Sequence, residues 1–211
     1  MDYLLLENEL KNRHSIPYNW GVKQQNKLDS LTNFIYKTPE LSDVLNIINL
    51  QFSKHPKFDI LRNYSLNRWY NFWSAKGIET YFSEHNGVTI HPNKFNKFID
   101  FYINTIPFDH KTTIFPKGFK KSLPYAIEHK QELINWLYAN QSLEQREHYN
   151  NRLFIVLYNS ENNDEHWKLK AELSWIFKKI TTYLINFDPS KLCCFSNNGN
   201  NIYADIIWAI K

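Results

Sequence analysis

The sequence predicts an α/β protein: a mixed β-sheet flanked by helices, preceded by a helical N-terminal region. Three observations carry this. Residues 41–52 repeat apolar side chains at helical spacing. Residues 97–113, "KFIDFYINTIPFDHKTT", alternate as a β-hairpin does. "RLFIVLY", 152–158, is a short continuous apolar run of the kind a buried strand shows.

The elements follow in order. In "LSDVLNIINLQFS", Leu41, Val44, Leu45, Ile48 and Phe52 share one helical stripe, and residues 1–64 read as mainly helical. A second helix is expected to start after Ser65, acting as N-cap, to run through "LNRWYNFWSAKGIETYFSEH" and to stop at Gly87. "GVTIH" then reads as a strand and 97–113 as the hairpin. After a loop, "IFPKGFKKSLP", the stretch "YAIEHKQELINWLYANQ" reads as one helix and "RLFIVLY" as a strand. "EHWKLKAELSWIFKKITTYLI" is an amphipathic helix. "KLCCFS" and "NIYADIIWAI" are two strands joined by the turn "NNGN". One domain over residues 1–211 is expected, with 1–64 as the helical N-terminal region and 65–211 as the core.

Composition narrows the class. Of the 211 residues, 43% are hydrophobic and 17% aromatic, enough to build a core. The formal charge of +4 mildly favours a polyanionic partner. Adjacent Cys193 and Cys194 would point to opposite faces of a strand, which disfavours a bond between them. "MDYLLLENEL" has no basic region and no long apolar run, so it is not read as a signal peptide. No stretch reaches the roughly 20 apolar residues of a membrane span. A soluble, cytoplasmic protein without a membrane partner is expected. There is no P-loop, G-x-G-x-x-G, G-x-S-x-G or HExxH motif, and the tryptophans of the helical stretches read as core.

The hairpin holds the chemistry. With its turn at Asn104–Thr105, Ile103 faces Ile106 and Asp100 faces Asp109. One face then carries Ile99, Phe101, Ile103, Ile106 and Phe108; the other carries Asp100, Asp109 and Lys111. Opposed like charges destabilise a strand pair. Lys111 is one source of relief, and a divalent cation held by the two carboxylates is a better one. The [DE]-x-K pattern occurs three times, at Glu9–Lys11, Asp109–Lys111 and Glu128–Lys130. Only the middle copy lies in a strand with an acid one strand back. Glu79 adds a third carboxylate. It stands in a helical stripe with Phe72, Ala75 and Phe82, a costly place unless it is paired or binds a metal.

With an acid on a helix, an Asp on the next-but-one strand and D-x-K on the strand after it, the chain resembles the PD-(D/E)xK nuclease superfamily, of restriction-endonuclease-like fold. The resemblance covers roughly residues 66–160, with Ile99 where the name-giving Pro would stand. It implies Mg²⁺- or Mn²⁺-dependent hydrolysis of phosphodiester bonds in DNA, an endonuclease of restriction type being favoured. Asp100, Asp109 and Glu79 would hold metal, and Lys111 would position the nucleophile or neutralise developing charge. Gln131 would support the site from the following helix. Lys117, Lys120 and Lys121, interleaved with Phe115 and Phe119, would contact phosphates. Many restriction-type nucleases work as homodimers; no dimer signature stands in this sequence. The alternatives are a non-catalytic nucleic-acid-binding relative, and an interaction module such as an immunity or phage-encoded protein.

Overall fold

The computed structural model describes residues 1–93, 96, 98–140, 150–197 and 199–211. The chain forms two compact units, Met1–Ile78 with Lys170–Trp175, and Glu79–Leu169 with Ile176–Lys211.

The first unit is helical. It holds α1 (Tyr3–Asn12), α2 (Asn26–Leu31), α3 (Leu41–Phe52) and the larger part of α4 (Phe58–Ser83). Asp2 caps α1 by accepting from the Leu5 amide, satisfying one of the donors a helix start leaves open. The stripe foreseen on α3 is the buried one: Leu41, Val44, Ile48 and Phe52. Trp69 is fully buried, with its indole N–H donated to the Thr38 carbonyl. The start of α4 differs from the expectation. Ser65 is not an N-cap but a fully buried residue inside the helix, its hydroxyl donated to the Leu61 carbonyl. Buried Leu61 and Tyr64 extend the apolar face toward the N-terminus, and packing decides the helix boundary over capping preference.

The second unit is built on a six-stranded mixed sheet of order β1-β2-β3-β4-β6-β5. The strands are β1 (Val88–Ile90), β2 (Phe101–Ile103), β3 (Ile106–Ile114), β4 (Arg152–Tyr158), β5 (Cys193–Asn197) and β6 (Asn200–Ile210). β1, β2 and β3 form an antiparallel meander. β4 lies parallel to β3, β6 parallel to β4, and β5 antiparallel to β6. Helix α4 ends at Ser83; Gly87, with φ +83°, leads into β1 instead of ending the helix.

Parallel neighbours need a crossover. Between β3 and β4 it runs through α5 (Leu123–Glu128) and α6 (Lys130–Asn140). The single helix expected there is broken at His129, whose φ −114° and ψ 48° leave the helical region. Gln141, at its expected end, lies outside the described residues. The helix expected over 165–185 is likewise divided, into a 3₁₀ segment Asn163–Ala171 and α7 (Leu173–Ile185). Leu133, Ile134 and Leu137 of α6 pack with Phe154, Val156, Ala204 and Ile206 on one face of the sheet. The opposite face is covered from the last turn of α4 and from α7: Phe82 stacks on Phe101, Tyr81 on Phe177, and Phe108 meets Phe187 edge-on. With both faces covered, β4 is buried along nearly its whole length, as its continuous apolar run requires. Both cysteines are free. Asn198 of the expected "NNGN" turn lies outside the described residues. Among the described residues no helix is long and apolar enough to cross a membrane.

Candidate active site

The hairpin register is the one its alternation demands. Phe101 pairs with Phe108, Tyr102 with Pro107 and Ile103 with Ile106, around a turn in which Asn104 takes φ +54°. The Asp100 amide donates to the Phe108 carbonyl at 2.9 Å, offset by one from the Phe101–Phe108 register as at a β-bulge, so the paired register stops at Phe101 and the expected opposition of Asp100 to Asp109 is not kept. β2 ends there, and the Asp100 side chain takes over from the missing strand. Its Oδ2 accepts from the His110 backbone amide at 2.8 Å and lies 3.1 Å from His110 Nδ1. The His110 ring is buried between Phe82 and Phe101, with ring centroids 6.2 Å from each.

Asp109 sits at a crossing of three strands. Its amide donates to the Asn151 carbonyl at 3.0 Å. Asn151 also donates to the Pro107 carbonyl on β3 and accepts from the Tyr203 amide on β6, so one side chain ties the strands on both sides of β4. The next residue, Arg152, is the register partner of Asp109 and shares its face. Asp109 Oδ1 accepts from Lys111 Nζ at 2.8 Å, and Oδ2 is 3.3 Å from Arg152 Nε. Lys111 is half exposed, whereas the Asp109 and Arg152 side chains are buried.

The two carboxylates differ electrically. Burial opposes the charge of Asp100, but the hydrogen bonds and charge of His110, with Lys111 behind them, hold it below the usual carboxylate range. Burial pushes Asp109 up. Lys111 and Arg152 pull it back without cancelling the shift, and the charge of Asp100 adds to it.

The other expected residues separate from this group. Glu79 lies half-buried near the end of α4. Among the described residues no three His, Cys, Asp or Glu side chains are grouped to hold a metal ion, so Glu79 does not complete a three-carboxylate shell with Asp100 and Asp109. Gln131 is exposed in the first turn of α6. Lys117, Lys120 and Lys121 are exposed beyond the C-terminal end of β3, Lys121 with its ammonium 5.0 Å from the Tyr125 ring centroid. The chain stays extended from Asp109 to Phe115, whose amide bonds Leu157. That puts the loop about 20 Å along β3 from the carboxylate, at about 3.3 Å per residue. The loop is therefore a separate surface and not the rim of the site.

The donor set suits a hard cation. Of the four carboxylate oxygens, Asp109 Oδ1, Asp109 Oδ2 and Asp100 Oδ2 have protein partners, and Asp100 Oδ1 has none among the described residues. Two carboxylates with the remaining positions left to water and substrate oxygens is the pattern Mg²⁺ accepts. Arg152, Asn151 and His110 were missed in the sequence. The one available signal was a charge at the head of an otherwise apolar strand. Comparison with protein-family models, curated proteins and solved structures finds no match.

Proposed function

We propose that this chain is a metal-dependent nuclease of PD-(D/E)xK type, hydrolysing phosphodiester bonds in DNA. The observation that carries the reading is the hairpin: Lys111 is bonded to Asp109 on one face of β3, and Asp100, just before β2, is near enough for its charge to act on Asp109. The surrounding order supports it. A helix ending in the Glu79 turn is followed by a three-strand meander, a helical crossover and a strand parallel to the third. This is the context in which the resemblance places an acid on the helix, an Asp on the second strand and D-x-K on the third.

In this reading Asp100 and Asp109 hold Mg²⁺ or Mn²⁺, which when bound supplies Lewis acidity and a water of lowered pKa. The protein's own groups do the positioning. His110 fixes the Asp100 carboxylate through two contacts to one oxygen, and the other oxygen has no partner among the described residues. Lys111, half exposed on Asp109, transfers its hydrogen bond to a phosphate oxygen or to the attacking water and balances the charge that develops.

The test is incubation of plasmid, linear duplex, single-stranded DNA and RNA with the chain in Mg²⁺, in Mn²⁺ and in EDTA. Cleavage is expected with metal alone, and it is lost in Asp109→Asn and Lys111→Ala. A folded protein that cuts none of these substrates sinks the proposal. A second reading has a specific observation behind it: three of the four carboxylate oxygens are already taken by His110, Lys111 and Arg152. An interaction module would keep them so, and neither divalent ions nor nucleic acid would then alter its stability.

A further inference from the structure

Arg152 is the residue whose chemistry is unspent. It is nine-tenths buried, yet its guanidinium is poorly satisfied. Nε is buried without a hydrogen bond and only faces Asp109 Oδ2 at 3.3 Å. The terminal nitrogens hydrogen-bond to none of the described residues and are not among the fully buried unpartnered atoms, so they face solvent. Guanidinium carries five N–H donors, and of these only the Nε–H is fully buried without an acceptor, while the terminal nitrogens reach solvent. The solvent-facing end of the fork is thus open to a ligand's oxygens, while its Nε end is held at Asp109.

The surroundings hold the group in place. The guanidinium carbon lies 4.9 Å from the centroid of the Tyr138 ring. That ring is fixed in turn, because its hydroxyl donates to the Asn150 carbonyl at 2.6 Å and its edge packs against Phe154 and Phe195. A planar cation on an aromatic shelf is pre-organised, so little freedom is lost when its fork meets two oxygens. Lys111 and Arg152 bracket the single carboxylate of Asp109, one at each oxygen, so this trio carries one net positive charge. Beside the trio stand the Asp100 carboxylate, bonded to His110, and the uncharged Tyr138 ring of α6.

We propose that Arg152 is an oxyanion-binding residue of this site, its fork taking two non-bridging oxygens of a phosphate group beside Asp109. That the phosphate belongs to a nucleic-acid backbone rests on the nuclease reading; that a phosphate binds here does not. The assignment gives the site a second point of attachment on β4, besides the hairpin, and fixes which way the phosphate faces.

The experiment titrates wild type, Arg152→Lys and Arg152→Gln, all in EDTA, with inorganic phosphate and with a short single-stranded oligodeoxynucleotide. Folding of each variant is checked by near-ultraviolet circular dichroism, and cleavage of DNA is assayed separately with Mg²⁺. Wild type should bind, Arg152→Gln should bind at least about tenfold more weakly, and Arg152→Lys should fall between, since it keeps the charge and loses the fork. If Arg152→Gln fails to fold, the lysine variant alone decides: affinity equal to wild type overturns the proposal. A folded Arg152→Gln protein that binds both probes as wild type does also overturns it, as does a wild type that binds neither. Wild-type cleavage with unaltered binding in the variants leaves the nuclease standing and removes Arg152. Arg152-dependent phosphate binding without any cleavage supports the oxyanion site and removes the nuclease.

Discussion

Replacing Lys117, Lys120 and Lys121 together by Ala tests whether the loop beyond β3 is a nucleic-acid surface distinct from the site. Each phosphate neutralised on duplex DNA contributes about 0.9 to the slope of log affinity against log salt, so the triple variant should flatten that slope by up to about 2.7. The structure adds a length to this number. The loop begins about 20 Å along β3 from Asp109. A duplex advances about 3.4 Å per base pair, so one that touches both places must be about six base pairs or longer. DNA hairpins with stems of about 5 and about 14 base pairs separate the two cases by fluorescence anisotropy across a salt series. The long stem should lose the full slope contribution in the triple variant, and the short stem should lose little. Lys111→Ala, by contrast, should remove cleavage and leave most of the affinity for both. Equal losses on short and long stems would refute the spacing argument. No loss on either would make the loop ordinary solvated surface.

Three further outcomes follow from the same structure. Mg²⁺ or Mn²⁺ at 100 times its dissociation constant should stabilise the protein by about 2.7 kcal/mol, a rise in melting temperature of about 5–10 °C, and Asp100→Asn should blunt it; calorimetry without a divalent-ion response, with DNA absent and present, speaks against the metal. Asn151→Ala removes the bonds to the Pro107 carbonyl and from the Tyr203 amide, and should cost about 2 kcal/mol in urea unfolding while weakening phosphate binding through the displaced Arg152. Burial pushes Lys170, which donates to Asn71, down from 10.5 to about 8. Between those values the unfolded chain binds the extra proton, so stability should rise with pH across that window by at most about 3 kcal/mol; Lys170→Met should flatten the rise, measured as the difference from wild type at pH 7 and pH 10.

The parts of the fold legible in the sequence are those set by near neighbours. The hairpin could be read because its two faces differ chemically at period two and only one register keeps Asp109 off the apolar side. β4 could be read because a strand covered on both faces must be apolar throughout. What could not be read depends on residues far apart in the chain. Ser65 looks like a cap until the packing of Leu61 and Tyr64 carries the helix past it. The placing of Arg152 beside Asp109 is set by a crossover of some forty residues, and the parallel register it produces leaves no mark in either strand. Glu79 was placed on the right helix, but helical periodicity gives a direction around an axis and not a distance to a carboxylate on a sheet.

The hairpin turn has a consequence for how this chain tolerates change. Asn104 sits in the left-handed region, its amide bonded to the Gly87 carbonyl, and a side chain at Gly87 would press on its Oδ1 at 3.2 Å. This bend thus also counts residues between Asp100 and Asp109. Because strand faces alternate, that count acts as a parity bit: a single residue added or lost at the bend exchanges Asp109 with its neighbours, bringing a carboxylate into the aromatic packing and turning His110 outward. Length changes there are absorbed in pairs or not at all.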